Sequence, residues 1–409
     1  MNTVSRVIRN TGFLYMKMGV TMFVSLYATR LVLNALGVDD FGIFNMVAGV
    51  IAMLAFLNAS MAAATQRFMS YAEGEGDPEK QKIVFNISVV LHLAIAVMVG
   101  ILLYAAAPIL FGHVLNIPED RVFAARCVYW AMIASTVFGI LGVPCEAMLN
   151  AHENMLYFAV IGVLESFLKL GAALLVVHVL ADKLVLYGVL MAGISILAMT
   201  AMLVYCRRNY AECVIAPRRY WKRGVFREMG SFAGWNFTVS ASSMLSEYGV
   251  GIVLNHFFGV ALNAAQAVAQ QINGQTMAFS GTMLKALNPV ISKSEGAGNR
   301  GLMLRASLSG CKFAYLLMAV FAIPLILEAP GLLGLWLHSV PAWAVLFCRL
   351  QLARTLLEQL FLSLGSAIYA EGNIRLYTLV KTGSGILFLG ATWGFYRMGS
   401  PPCMMYVLS

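Results

Sequence analysis

The feature that most constrains this chain is a succession of stretches of about twenty mostly apolar residues, parted by short polar breaks, because about twenty such residues in one helix cross the hydrocarbon of a bilayer. Hydrophobic residues make up 60% of the 409 and charged ones only 11%, against roughly 25% charged in soluble domains. A water-surrounded globule is excluded. With short loops, the length allows eleven or twelve spans. Midway, residues 206–229 read CRRNYAECVIAPRRYWKRGVFREM and hold Arg207, Arg208, Arg218, Arg219, Lys222, Arg223 and Arg227. Lys and Arg near span ends resist translocation, so this strap is expected on the cytoplasmic side, joining two halves of a polytopic protein. The formal net charge of +9 then follows from membrane topology and calls for no nucleic acid.

Arg6 and Arg9 set the N-terminus inside, ahead of a first span over 12–36. The turn LGVDDFG leads to span two, 41–71, and further spans are expected at 83–106, 122–149, 156–180 and 184–205. Gly139, Gly142 and Pro144 are expected to soften the fourth. The second half repeats the rhythm at 230–257, 261–290, 303–327, 342–369 and 375–396. Lys80, Lys82, Lys293, Arg300, Arg305 and Arg375 fall in inside loops, whereas outside turns hold little beyond Arg121, Lys183 and Arg397. The charge bias agrees with the span count at almost every loop. The organisation expected is an N-terminal six-helix bundle, 1–206, a basic cytoplasmic connector, 207–228, and a C-terminal bundle, 229–409. That second bundle has five complete helices and the start of a sixth, which reads as a truncation, since an unpaired half-helix leaves backbone groups unsatisfied in lipid. The N-terminus lacks the pattern of a removable signal peptide.

The halves are related in sequence. At a shift of 222 residues, Ser70, Glu73, Gly74 and Gly76 fall on Ser292, Glu295, Gly296 and Gly298, both S-x-x-E-G-x-G at the inside end of a half's second span. The same shift sets Gly37 and Val38 on Gly259 and Val260. A shift of 219 sets Ala151 to Asn154 against Ala370 to Asn373. Two like-oriented halves related by an axis along the membrane normal are a transporter architecture.

LGVDDFGIFNMV, QRFMSYAEGEGD and EAMLNAHENM resemble bacterial polysaccharide and oligosaccharide-lipid flippases. These belong to the superfamily that also holds MATE drug exporters and the peptidoglycan-precursor flippase. The resemblance covers essentially the whole chain. It implies an all-α polytopic membrane protein of two MATE-like six-helix bundles, related by a pseudo-two-fold, working by alternating access. Its implied cargo is an undecaprenyl-diphosphate-linked oligosaccharide, taken from inner to outer leaflet in a central cavity. It places the chain in the bacterial inner membrane, with a polysaccharide polymerase and glycosyltransferases as functional partners and no cofactor. The family pattern expects a full twelfth helix, from which this sequence departs.

Polar residues inside spans are costly and normally face a cavity or partner helices. Asn236, Ser240, Ser243 and Glu247 share one face of span seven, and Asn263, Gln266, Gln270 and Asn273 one face of span eight. The second stripe has no counterpart in span two, where the last three align with Phe44, Ala48 and Ile51. Amides and hydroxyls suit sugar hydroxyls, since both donate and accept; the bland alternative is glue between helices. Glu247 has no partner on its own helix and is the first candidate for proton or sodium coupling. Arg30 and Lys285 are candidate phosphate partners, whereas Lys17, Arg349 and Lys381 read as snorkelling cations. Glu165 with Lys169, and Arg354 with Glu358, are i,i+4 pairs.

Neither the dispersed histidines nor the seven scattered cysteines form a metal or catalytic pattern, and the cysteines read as small buried apolar residues. There is no P-loop. Three readings remain: a flippase for a lipid-linked oligosaccharide, a cation-coupled multidrug exporter on the same fold, and a membrane transferase. The third lacks a loop of clustered carboxylates or histidines. The second typically places an acid in the first span, where this chain has Lys17 and Arg30.

Overall fold

A computed structural model describes residues 3–52, 54–115, 117–179, 182–337 and 340–408. His338 and the side chain of His113 lie outside the described residues. Fourteen α-helices follow in order: α1 (Thr3–Ala52), α2 (Ala55–Glu75), α3 (Pro78–Ile109), α4 (Val122–Ala151), α5 (Met155–His178), α6 (Lys183–Asn209), α7 (Arg223–Phe258), α8 (Val260–Gly296), α9 (Arg300–Leu327), α10 (Ala329–Trp336), α11 (Ala344–Gln359), α12 (Leu362–Glu371), α13 (Arg375–Arg397) and α14 (Met405–Leu408). Short π and 3₁₀ turns link α3 to α4, and no strand forms among the described residues. The helices form two compact units, Met1–Ala233 and Gly234–Ser409.

The internal repeat reappears in the backbone. Gly37 (φ 79°, ψ 173°) and Gly259 (φ 79°, ψ −177°) take nearly the same left-handed conformation, which glycine adopts without Cβ strain. Gly76 and Gly298 match as well, at φ 69° and 70°. Glu153 (φ 56°) answers Gly372 (φ 97°) at the 219 shift. Just beyond Gly76 and Gly298, Asp77 and Asn299 cap α3 and α9 through backbone N–H groups two or three residues on. Four aligned positions thus repeat their local geometry or capping role.

Several boundaries differ from the sequence reading. LGVDDFG carries the expected break: helical geometry is left at Gly37, between the spans Ser5–Gly37 and Asp39–Ala52, although α1 is numbered through it. Span two is broken again near Leu54, where the path bends by 54°. The tenth span is two helices, α11 and α12, parted at Leu360 and Phe361. The fourth stays one helix across Pro144. Among the described residues seven helices are long and apolar enough to cross a membrane, or eight if the bent pair is one span. Amides dilute α8, the break and charges interrupt α11 and α12, and Thr378, Lys381, Thr382 and Ser384 dilute α13.

Each unit has its own core. In the first, α4 packs along α6 and α1 along α5, around Val47, Val99, Leu103, Val128 and Tyr129. In the second, α8 packs on α9 and α11, with Leu254, Ala265, Phe347 and Met405 buried. Small residues allow close helix approach: a Cβ on Gly188 would lie 2.9 Å from Val128, and one on Gly310 2.4 Å from Leu287. Phe23, Ile101, Leu164, Ile252, Leu308 and Leu387 all face outward, as lipid-facing helices require.

Candidate functional site

In the second unit the polar face of α7 divides along its length. Asn236 is buried and its Oδ1 accepts from the Tyr369 hydroxyl of α12 at 2.9 Å. Ser240 is half-buried, while Ser243 and Glu247 are exposed. On α8, Gln266 is buried and Asn263, Gln270 and Asn273 half-buried. Asn273 Oδ1 accepts from Thr355 Oγ1 of α11 at 2.7 Å; Asn263 Oδ1 is buried with no hydrogen-bond partner among the described residues. Asn236 and Asn273 therefore hold neighbouring helices together. Asn263 keeps hydrogen-bonding capacity in reserve. Lys285 is half-buried further along α8.

Beside this stripe lies a groove of ≈ 330 Å³, rimmed by Gln271 and Gln275 and floored by Phe279, Phe321, Leu325 and Trp336. Phe279 and Phe321 stack at 4.3 Å between centroids, 21° from parallel. An apolar floor with a few amides at its rim is the ordinary make-up of a ligand site. Its Gln271, Gln275 and Phe279 follow one another at helical spacing on α8, beside the Gln266 and Gln270 of the sequence reading.

In the first unit, Arg30 is exposed on α1 and pairs with no carboxylate among the described residues. The Lys17 ammonium sits 3.8 Å from the centre of the Phe158 ring, its stem lying across Gly162 of α5. Arg349 reaches a span end: its guanidinium donates to the carbonyls of Ile326 at 2.9 Å and Leu327 at 3.3 Å, closing the C-terminus of α9. Both i,i+4 pairs form, Lys169 with Glu165 at 2.7 Å and Arg354 with Glu358 at 2.8 Å. Asp40 is an ion-pair partner of Arg121, which also meets Asp182 at 2.9 Å.

A second cluster was not legible beforehand. At the strap end of the first unit His152 lies between Glu212, on Nε2, and Glu73, 3.5 Å from Nδ1. Gln81 fixes the other oxygen of Glu73 at 2.7 Å, and Tyr210 stacks on the imidazole at 4.2 Å. Burial alone pulls the His152 pKa down, but the two carboxylates more than offset it and raise it to about 9. Glu212 is pushed up by its own burial and pulled further down by His152. The two ring nitrogens point at different carboxylates, an arrangement that suits a shared imidazolium better than one chelated ion. Behind it, Cys145, Cys206 and Cys213 gather, all buried and unbridged, with the Cys206 thiol donating to the Cys145 carbonyl at 3.7 Å.

Residues 7–295 match the sequence profile of the family described as "Polysaccharide biosynthesis protein". The chain belongs to that family. It is a membrane flippase or transporter of the superfamily that contains MATE transporters, and its fold is theirs. A MATE transporter point mutant superposes with a TM-score of 0.82 at 16% identity, covering 98% of this chain and 90% of that one. A MOP-superfamily transporter from Pyrococcus furiosus gives 0.76 at 14% identity, with 98% and 91% covered. A Vibrio cholerae MATE transporter mutant gives 0.75 at 18%, with 95% and 87% covered. No curated protein matches the chain. The protein is thus a multi-pass membrane protein, and its lipid bilayer is its first partner.

Proposed function

We propose that this flippase carries an undecaprenyl-diphosphate-linked oligosaccharide from the inner to the outer leaflet of the bacterial cytoplasmic membrane, by alternating access of its two bundles. Surface polysaccharide assembly of the O-antigen or lipopolysaccharide kind is its setting, alongside glycosyltransferases and a polymerase. One observation carries the reading: the charged side chains of 12–36 are Lys17 and Arg30, with no carboxylate. A cationic first helix suits a diphosphate and opposes cationic drugs. With Lys17 engaged by Phe158, Arg30 is the guanidinium of α1 left for the cargo. Lys285 is its proposed counterpart in the second unit. Asn236, Ser240, Ser243, Asn263, Gln266, Gln270 and Asn273 are proposed to offer amides and hydroxyls to the glycan. The Pyrococcus furiosus transporter is itself described by a reversed polarity of its binding pocket, which supports a change of cargo on this fold.

Polysaccharide export in cells carrying Arg30→Ala or Lys285→Ala tests the reading, with protein abundance measured alongside. Export falls at least about tenfold at normal abundance if one buried charge-assisted contact is lost. Full export in both variants removes the two cations from the site. A cation-coupled exporter is the second reading, favoured by the MATE likeness and by the exposed carboxylate of Glu247.

A further inference from the structure

The strap is built as a fixed platform. Asn86 of α3 holds it at two points, donating to the Val214 carbonyl at 2.8 Å and accepting from the Ala216 N–H at 2.7 Å. Glu212 is clamped by His152, Tyr210 is stacked on the same ring and accepts from Asn154 at 3.0 Å, and Cys213 and Tyr220 are buried. A segment fastened in this way presents its remaining side chains in set positions.

Those side chains are the seven cations between Arg207 and Arg227. Every one is exposed, and none pairs with a carboxylate among the described residues. Three loop cations elsewhere are paired: Lys80 meets Glu75 at 2.5 Å, Lys82 meets Glu79 at 3.4 Å, and Arg300 meets Glu371 at 3.0 Å. Orienting the chain during insertion needs positive charge near span ends, but it does not require that charge to stay unpaired on a docked segment. Among the cations stands Trp221, 44% exposed and paired with Phe226 at 4.9 Å; aromatic side chains of this kind settle at headgroup level. The strap also joins the ends of two candidate spans, α6 and α7.

We propose that the strap binds the headgroups of anionic phospholipids in the leaflet it faces, with Arg218, Arg219 and Lys222 as the principal contacts and Trp221 as the interfacial anchor. Clusters of four to eight Lys or Arg beside a membrane helix attract anionic lipid, each worth about 1 kcal/mol near the surface. Phosphate is the recognised group, and the lipid surface, not free phosphate, is its source. The inference is independent of which cargo the flippase carries.

The test is native mass spectrometry of the purified full-length protein in neutral detergent, titrated with short-chain phosphatidylglycerol, short-chain phosphatidylcholine or inorganic phosphate. Phosphatidylglycerol binds preferentially, weakens as salt rises, and is not displaced by equimolar inorganic phosphate. Combining Arg218→Gln, Arg219→Gln and Lys222→Gln lowers its affinity at least about tenfold, while Arg218→Lys with Arg219→Lys retains it within about threefold, since surface charge is preserved. Equal binding of the two lipids, unchanged affinity in the neutralised protein, or displacement by free phosphate overturns the proposal. If the neutralised protein fails to fold, the salt and phosphate titrations of the wild type decide alone.

Discussion

Arg30 and His152 are two cations of the first unit with opposite surroundings. Arg30 is exposed and pairs with no carboxylate among the described residues, so its removal is expected to affect transport and leave stability nearly unchanged. His152 is walled in by Glu73, Glu212 and Tyr210, so its removal acts on structure. Its folded pKa of about 9 exceeds the ordinary 6.5. The stabilisation it brings is therefore complete below 6.5 and is lost as pH rises through about 9. Two and a half units correspond to roughly 3 kcal/mol at most. Thermal unfolding across that window should show the loss in the wild type and a flatter profile in His152→Gln. Glu212, held below its usual range by His152, contributes the reverse limb, lost as pH falls through its lowered pKa. In the second unit Arg300 bridges Glu295 at 3.8 Å and Glu371 at 3.0 Å, at the turns that correspond to those of Glu73 and His152. An arginine there keeps its proton, so that bridge brings no alkaline limb. None of this was legible in the sequence, because 60 residues separate His152 from Glu212 and local spacing says nothing of such a meeting. The cysteine cluster escaped notice for the same reason.

At the scale of elements, the glycines at the repeat positions carry a cost that helical glycines do not. Gly37→Ala and Gly259→Ala force a positive-φ, extended-ψ conformation on a residue with Cβ, at about 1–3 kcal/mol each. Gly42→Ala, in helical backbone with nothing within 4 Å of the new methyl, is expected to be neutral or stabilising by up to about 1 kcal/mol. Denaturation of the purified variants in detergent separates the cases. These positions were readable because a motif repeated at a fixed shift, and their backbone angles repeat with it. The breaks at Leu54 and at Leu360 with Phe361 were not readable: no Pro or Gly marks either one, and packing alone decides them. Likewise the amphipathic faces of α7 and α8 follow from a 3.6-residue period. Which of their amides are taken up by Tyr369 and Thr355 depends on helices more than eighty residues further on.

For the whole molecule, the charge asymmetry of the loops and the MATE fold agree on a multi-pass protein. The cytoplasmic strap is an orientation that labelling can check. Tyr220 is buried, so a reporter cysteine belongs at the exposed Lys222. In intact cells it should resist an impermeant reagent and react after permeabilisation; labelling from outside would reverse the orientation. If Glu247 couples an ion gradient, Glu247→Gln should stall transport, and wild-type rates would leave it a role in packing. The central claim concerns cargo, and its most direct test is transbilayer movement in proteoliposomes of a fluorescent polyprenyl-diphosphate oligosaccharide, followed by quenching from the outer face. The account predicts protein-dependent flipping of that lipid, reduced at least about tenfold by Arg30→Ala. Cation-driven efflux of a drug with no movement of the diphosphate lipid would contradict it.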